Sequence, residues 1–207
     1  MYTDRIAVSV VLIPPKDILQ LAIDINKTFP DTITGNYVLD PKACIPHITL
    51  LMGLIARKQL PDVYRGLDSI AKKFSALNLT LTGHTTTARP KGKVLSSLII
   101  AKTLGLQELH ESILVGMTSV FTYDGVQKEM FYSPPSVSEI PLFWVKGFAK
   151  DSVRENYKPH ITLGLGELKD TIAPVEFTAS KLALCHLGNY CTCRYVLWSA
   201  ELHSSLA

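Results

Sequence analysis

The pentapeptide Pro-His-Ile-Thr-Leu occurs twice in this 207-residue chain, at residues 46–50 and again at residues 159–163. The offset between the two copies is 160 − 47 = 113 residues, and the same shift also superposes Gly53 on Gly166. Chance is a poor explanation for an identical recurrence that extends beyond the pentapeptide. The repeat therefore indicates a duplicated structural or functional unit.

Each copy of the pentapeptide predicts a β-strand, in which the side chains alternate between two faces. In the first copy, His47 and Thr49 point to one face while Ile48 and Leu50 point to the other. The second copy repeats this pattern. Because the Ile and Leu faces can be buried in a core, we expect each strand to expose one histidine and one threonine. Two imidazoles and two hydroxyls converge if the two strands face each other across a cleft.

The rest of the sequence predicts an alternation of strands and helices with no linker between independent domains. Apolar runs and period-two alternation predict strands, and apolar residues at helical spacing predict helices. The predicted strands cover 5–13, 46–55, a segment from 77 onward, 94–102, the second copy of the repeat, 182–187 and 195–202. The predicted helices cover 17–29, 61–74 and 104–120. We expect residues 122–158 to be irregular, because they hold Pro134, Pro135 and Pro141.

The composition is that of a globular protein with a mild positive charge. Hydrophobic residues make up 47% and charged residues 19% of the chain, and the formal net charge is +3. These values exclude intrinsic disorder. The mild positive charge suits binding of a small anionic ligand better than binding along a nucleic acid. No apolar stretch approaches the roughly 20 residues that a membrane-spanning helix needs. We therefore expect a soluble, cytoplasmic protein with no membrane partner.

The paired histidines and threonines suit acid–base chemistry at phosphorus. Histidine has an ordinary pKa near 6.5, so of two imidazoles in one cleft one can be neutral and the other protonated. In-line displacement at phosphorus needs one group to accept a proton, another to deliver one, and donors for the anionic oxygens. Two histidines and two threonine hydroxyls meet these needs without a metal ion.

The duplicated His-x-Thr pattern resembles the two-histidine (2H) phosphoesterase superfamily, which includes 2′-5′ RNA ligase-like proteins and RNA 2′,3′-cyclic phosphodiesterases. The resemblance is strongest over residues 44–54 and 157–166, and it extends to the tail ALCHLGNYCTCRYVLW at 183–198. It implies an α+β fold in which pseudo-two-fold duplicated antiparallel sheets, with flanking helices, surround a central cleft. The whole of 1–207 would then be one bilobal domain, with the motif strands at about 46–54 and 159–166.

The same resemblance implies the roles of the motif residues. His47 and His160 would be the catalytic pair, and Thr49 and Thr162 would bind the substrate phosphate, with no metal and no cofactor. The predicted activity is that of a metal-independent phosphodiesterase on small RNA-derived esters. The substrate could be a 2′,3′-cyclic phosphate or a 2′-5′ linked oligonucleotide, and the sequence leaves open which histidine is the base. We expect a monomer with no obligate protein partner.

Two hypotheses from non-enzymatic classes of protein compete with this prediction. The chain could be a non-catalytic module of the same fold that binds RNA ends or nucleotides, or a scaffold whose repeated strands are only structural.

Further candidate substrate contacts are Lys158 and Tyr157, which directly precede the second motif. Three aromatic residues could stack a base, although core packing is the commoner role: Tyr37, Trp144 and Phe148. Arg89 is one of several basic residues that more often form a solvated face than a binding patch.

Metal binding is a weaker interpretation of the remaining histidines and cysteines. The cluster Cys185, His186, Cys191 and Cys193 matches none of the usual spacings of structural zinc ligands. Neither His47 nor His160 has a third histidine or a carboxylate nearby in its motif. The four cysteines do not form the even framework of a small secreted fold, so we interpret them as reduced thiols. The other histidines are expected to be structural or exposed: His84, His110, His186 and His203.

Overall fold

The structure is a computed structural model that describes residues 4–30, 37–89, 92–133 and 137–203. Within these residues the chain forms a sheet of eight strands and four α-helices. The strands are β1 (Arg5–Ile13), β2 (Ile48–Ala56), β3 (Leu77–Ala88), β4 (Val94–Ile100), β5 (His160–Leu165), β6 (Val175–Ala179), β7 (Lys181–Leu187) and β8 (Cys193–Glu201). The helices are α1 (Lys16–Lys27), α2 (Leu60–Ala71), α3 (Leu104–Met117) and α4 (Ile140–Asp151).

The strands lie in the order β6-β3-β4-β5-β2-β1-β7-β8, and every neighbouring pair is antiparallel. The order divides into two halves of four strands that meet where β5 lies beside β2. A pseudo-two-fold operation at that junction exchanges β2 with β5, β1 with β4, β7 with β3, and β8 with β6. This arrangement confirms the predicted α+β fold with two pseudo-symmetric antiparallel halves.

One half consists of the consecutive strands β3 to β6, while the other is built from the first two and the last two strands of the chain. After β2 the chain passes through α2 to β3, the first strand of the half that also contains β4, β5 and β6. After β5 and β6 it returns to β7 and β8, which complete the half that contains β1 and β2. The chain therefore crosses between the halves twice, once after the motif strand β2 and once after β6.

The helices α1 and α3 also pack across the junction, α1 against β5 and α3 against β2. Two phenylalanines that follow these helices explain why the repeat extends to a glycine. Phe29 follows α1 and lies against Gly166, while Phe121 follows α3 and lies against Gly53. A Cβ atom at either glycine would collide with the facing ring, so both positions need a residue without a side chain.

Each motif strand carries a β-bulge at the last residue of its pentapeptide. The β1–β2 register shifts between Val10 and Val11 and leaves Leu50 without a partner on β1. The β4–β5 register shifts between Ser96 and Ser97 and leaves Leu163 without a partner on β4. A bulge disrupts the ladder locally, so the two buried carbonyl groups need hydrogen-bond donors from elsewhere.

Buried side chains on the two crossing helices supply these donors. Asn26 of α1 donates from Nδ2 to the carbonyl of Leu163 at 2.8 Å. His110 of α3 donates from Nδ1 to the carbonyl of Leu50 at 2.7 Å. Both side chains are fully buried, and buried polar groups of this kind are stable only when paired. The pseudo-symmetry therefore extends from the strands to the polar groups that satisfy the bulges.

The observed secondary structure differs from the prediction in three respects. Residues 122–158 are not irregular throughout, because α4 lies within them. Pro141 is in the first turn of this helix, where proline is tolerated since the missing N–H would have no helical acceptor. The sequence interpretation also missed β6, a five-residue strand that pairs with β3. The predicted helices over 17–29, 61–74 and 104–120 are present but end two to three residues earlier.

The prediction that the cysteines are reduced thiols is wrong for two of the four. Cys185 of β7 and Cys193 of β8 form a disulfide, with their Cα atoms 5.4 Å apart. The short connection between these antiparallel neighbours brings the two cysteines together. The spacing of the cysteines in the sequence did not predict this disulfide. Cys44 and Cys191 are free.

Of the helices that the structure describes, none has the length and apolar character needed to cross a lipid bilayer.

Replacing Asn26 by Leu should destabilise the fold strongly. Besides its bond to Leu163, Asn26 donates to the carbonyl of Tyr37 at 3.0 Å and accepts from the N–H of Leu39 at 2.8 Å. Leucine leaves these three buried backbone groups unpaired, so we expect the free energy of unfolding in urea to fall by about 3 kcal/mol or more. The control Asn78→Leu, at an exposed position of β3, should change it by less than about 0.5 kcal/mol. Equal effects of the two substitutions would contradict the role of Asn26.

Candidate active site

A cavity of about 450 Å³ lies over the junction of the two half-sheets. The four predicted motif residues, His47, Thr49, His160 and Thr162, all line it. Helix α4 forms one wall, and the loop between β7 and β8 contributes to another. The structure thus brings together the two motifs that lie more than a hundred residues apart in the sequence.

The pairing of β2 with β5 fixes the arrangement of the four motif side chains. Ile48 lies opposite Ile161, so the antiparallel register places His47 opposite Thr162 and Thr49 opposite His160. Both isoleucines are fully buried beneath the cavity, which leaves the histidines and threonines on the other face. The two histidines occupy a diagonal of this square, and diagonal neighbours in antiparallel strands lie about 7 to 8 Å apart.

Each histidine ring is held by a carbonyl two residues earlier in the chain. The Nδ1 atom of His47 lies 2.7 Å from the carbonyl oxygen of Ile45, and that of His160 lies 2.8 Å from the carbonyl oxygen of Lys158. A carbonyl can only accept, so Nδ1 carries the proton in both neutral rings. The Nε2 atom of each ring is thereby left to accept a proton or, once protonated, to donate one.

Burial disfavours the charged form of both rings. It lowers the pKa of His47 to about 4, against the opposing effect of the bond to Ile45, and the charge of a protonated His160 lowers that pKa further. Crowding by protein atoms also lowers the pKa of His160, although part of this ring stays open to the cavity. The neutral form of both imidazoles is therefore favoured at pH 7 in the free protein. His160 is the more exposed of the two rings, so desolvation opposes its charged form less and we expect the first proton that the pair binds to go to His160.

Charged and aromatic side chains surround this pair. Lys158 is exposed and lines the cavity. Arg89 also lines it, with its guanidinium 5.4 Å from the centre of the Trp144 ring, a distance typical of a cation–π contact. The carboxylate of Asp151 faces the same space. Tyr37 and Phe148, the other aromatic residues that the sequence suggested, line it as well.

Tyr157 lies at the cavity but its ring is engaged within the protein. It is buried, and its ring stacks on His110 with the centroids 4.1 Å apart and an interplanar angle of 7°. The Tyr157 hydroxyl is buried and has no hydrogen-bond partner among the described residues. A role for Tyr157 in contacting substrate remains a prediction, whereas its contact with His110 is a feature of the fold.

Several residues of the cavity were not predicted from the sequence. Phe143 and Asp151 come from α4, and Tyr190 and Cys191 come from the β7–β8 loop. Tyr190 and Cys191 both have a positive φ, of 56° and 55°, a conformation uncommon for residues other than glycine. No motif marks these positions, because they reach the cavity only through tertiary folding.

Among the residues of 4–30, 37–89, 92–133 and 137–203, no group of three or more His, Cys, Asp or Glu side chains is placed to hold a metal ion. The cluster near the carboxyl end that the sequence offered as a zinc candidate is divided by the disulfide between Cys185 and Cys193. His186 binds elsewhere, with Nε2 3.0 Å from the carbonyl oxygen of Met130.

No protein-family model matches the chain, and no curated protein sequence matches it. Solved structures do match its fold over nearly the whole chain. The protein TT0787 of Thermus thermophilus is 16% identical with a TM-score of 0.59, over 97% of this chain and 100% of that one. LigT of E. coli in its apo form is 14% identical with a TM-score of 0.52, over 98% and 100%. A structure described as a phosphoesterase is 16% identical with a TM-score of 0.50, over 96% and 99%. The fold that the paired motifs implied is thereby confirmed.

An NMR titration of the histidine side chains should find His47 neutral down to unusually acidic pH. Its expected pKa is about 4, with the proton on Nδ1 above that value. Because the ordinary pKa is 6.5, the unfolded chain binds more protons between pH 6.5 and about 4, and this group lowers stability as the pH falls through that window. A His47 pKa at or above the ordinary value of 6.5 would contradict the desolvated site.

Proposed function

We propose that this protein is a two-histidine phosphoesterase that cleaves small RNA-derived phosphodiesters without a metal ion. The observation that carries the proposal is the pairing of Ile48 with Ile161, which puts both His-x-Thr motifs on one face of one cavity. The hydrogen bonds at Nδ1 leave both Nε2 atoms available for proton transfer. A lone histidine and threonine on each of two unrelated surfaces would have supported no such chemistry.

The matched structures support a nucleotide phosphate as the ligand. E. coli LigT has been solved in complex with phosphate, with NADP+ and with ATP, and these structures have TM-scores of 0.51, 0.51 and 0.50 against this chain. The cavity offers matching chemistry, because Lys158 and Arg89 can attract an anion and the rings of α4 can pack against a base. At 450 Å³ the cavity is large enough for a nucleotide-sized ligand.

The greater burial of His47 favours it as the base, and the greater exposure of His160 favours it as the acid, in hydrolysis of a 2′,3′-cyclic phosphate. Water attacks phosphorus and gives a proton to Nε2 of His47, while the departing ribose oxygen takes the proton from Nε2 of a protonated His160. The anionic substrate favours the imidazolium form, so binding raises both pKa values and brings the singly protonated pair closer to neutral pH. The hydroxyls of Thr49 and Thr162 donate to the non-bridging oxygens and stabilise the charge that grows on them.

A linear 2′-5′ bond would use the same groups in a related sequence. Here a ribose hydroxyl next to the phosphate attacks in place of water and gives its proton to one histidine. The other histidine protonates the 5′ oxygen as its bond to phosphorus breaks, which leaves a cyclic phosphate end. Both reactions need one neutral and one protonated imidazole on opposite sides of the phosphorus atom.

A substrate panel assayed with EDTA and without added metal tests the proposal. It contains 2′,3′-cyclic mononucleotides, 2′-5′ linked oligonucleotides and 3′-5′ linked RNA, and we expect turnover of at least one of the first two classes. Binding of a nucleotide without any product would instead support the non-catalytic binding module. Complete loss of turnover on chelation would contradict metal independence. Neither binding nor turnover would leave only the structural interpretation of the repeat.

Substitution of either motif histidine should be much more harmful than substitution of a motif threonine. Because each proton transfer contributes roughly 10²- to 10⁴-fold, His47→Ala and His160→Ala should each lower kcat at least about a hundredfold. Thr49→Val and Thr162→Val keep the side-chain shape but remove a hydrogen bond to a charged group, which costs about 1.5 to 3 kcal/mol in transition-state stabilisation. The measurement is steady-state kinetics on the best substrate of the panel.

The matched control is His84→Ala, which replaces a histidine of β3 outside the cavity. It should leave kcat and KM unchanged. A His47 or His160 variant that retained a near-normal rate would rule out the acid–base pair, provided that thermal melts show the variant to be folded.

A further inference from the structure

The buried histidine of α3, His110, contacts both motif segments at once. Its side chain is fully buried, and both ring nitrogens are engaged. Nδ1 donates to the carbonyl of Leu50, the bulged residue that ends the first motif. Nε2 accepts the backbone N–H of Arg154 at 3.0 Å. These two bonds require the neutral ring with its proton on Nδ1, and burial lowers the pKa of His110, which keeps the ring neutral.

The face of the same ring supports the segment that leads into the second motif. His110 stacks on Tyr157, and the next residue, Lys158, supplies the carbonyl that binds Nδ1 of His160. Arg154, at the other end of this short segment, has a φ of 55°. Its carbonyl accepts from Nζ of Lys102 at 3.2 Å and from Nε2 of Gln107 at 3.2 Å. The segment 154–158 is therefore held by α3 and the residues just before it.

The pseudo-symmetric position on α1 shows what is particular to His110. Asn26 also donates to a bulge carbonyl, that of Leu163, but its other partners are Tyr37 and Leu39 in a loop between α1 and β2. An amide can reproduce the bond that His110 makes to Leu50. An amide that makes this bond cannot also accept the N–H of Arg154, which lies at the position of Nε2. It also has no aromatic face to stack on Tyr157.

We propose that His110 is a positioning residue that couples the two motifs, a role that rests on the proposed function. One ring fixes the bulge after Thr49 and the turn before His160, so a shift of either segment is transmitted to the other. Misplacement of a catalytic group by about 1 Å costs roughly 10²-fold in rate. The ring of His110 thereby contributes to the rate without touching the substrate.

Two amide substitutions separate the two bonds of His110. His110→Asn places an amide at the level of Nδ1, so it can still donate to Leu50 but cannot reach Arg154. His110→Gln places an amide at the level of Nε2, so it can accept from Arg154 but leaves the carbonyl of Leu50 without a donor. We expect both to lower kcat by about 10- to 100-fold while KM changes by less than about threefold.

NMR titration of the motif histidines gives the readout that a purely structural role would not change. His110→Asn should shift the pKa of His160 more than that of His47, because it releases the 154–158 segment. His110→Gln should shift the pKa of both rings, because it releases the bulge next to the first motif and also removes the ring that stacks on Tyr157. Tyr157→Leu removes only the stacked ring, creates no unpaired backbone group, and should shift the pKa of His160 alone. It keeps the test decisive if either amide variant fails to fold.

The matched control is His186→Asn, since His186 also binds a backbone carbonyl from a partly buried position but lies outside the cavity. It should change the melting temperature and leave kcat and both motif pKa values unaltered. Folded His110 and Tyr157 variants with wild-type motif pKa values and wild-type kcat would overturn the proposal. If the wild-type protein turns over no substrate of the panel, the proposed function fails, and the pKa shifts alone decide the role of His110.

Discussion

The pairing of Ile48 with Ile161 is the contact on which both the sheet and the site depend. It joins two four-stranded halves through one residue pair, and burial of both isoleucines stabilises it by removing apolar surface from water. The register of this pair determines that each histidine faces a threonine of the other strand. A slip by one residue would turn one motif towards the core, so the same contact that closes the sheet also assembles the cavity.

The bulges after this pairing create a need for buried hydrogen bonds that the two crossing helices meet. Without Asn26 and His110, the carbonyls of Leu163 and Leu50 would be buried and unpaired, at a cost of about 1 to 3 kcal/mol each. These polar bonds also give α1 and α3 a defined axial position, which apolar packing alone specifies less sharply. The helices therefore hold the motif strands in register from outside the cavity.

The sequence predicted the parts of the molecule that local patterns encode. Alternation within the pentapeptide predicted the shared face of His47 and Thr49, and helical periodicity located three of the four helices among the described residues. It missed α4, since Pro141 was interpreted as a breaker and not as a residue of the first helical turn. It could not find Tyr190 or the contacts of His110, because both depend on which strands become neighbours. The pairing of Cys185 with Cys193 depends likewise on the register of β7 and β8.

One half-sheet combines the first two strands of the chain with the last two, so the two ends of the polypeptide depend on each other. If the backbone were split between β3 and β4, the first piece would hold β1, β2 and β3, and the second would hold the other five strands. Neither piece contains a complete half-sheet, because β3 belongs beside β4 while β7 and β8 belong beside β1. Each alone would present open strand edges to solvent. Only the two pieces together would restore every strand pairing of the sheet.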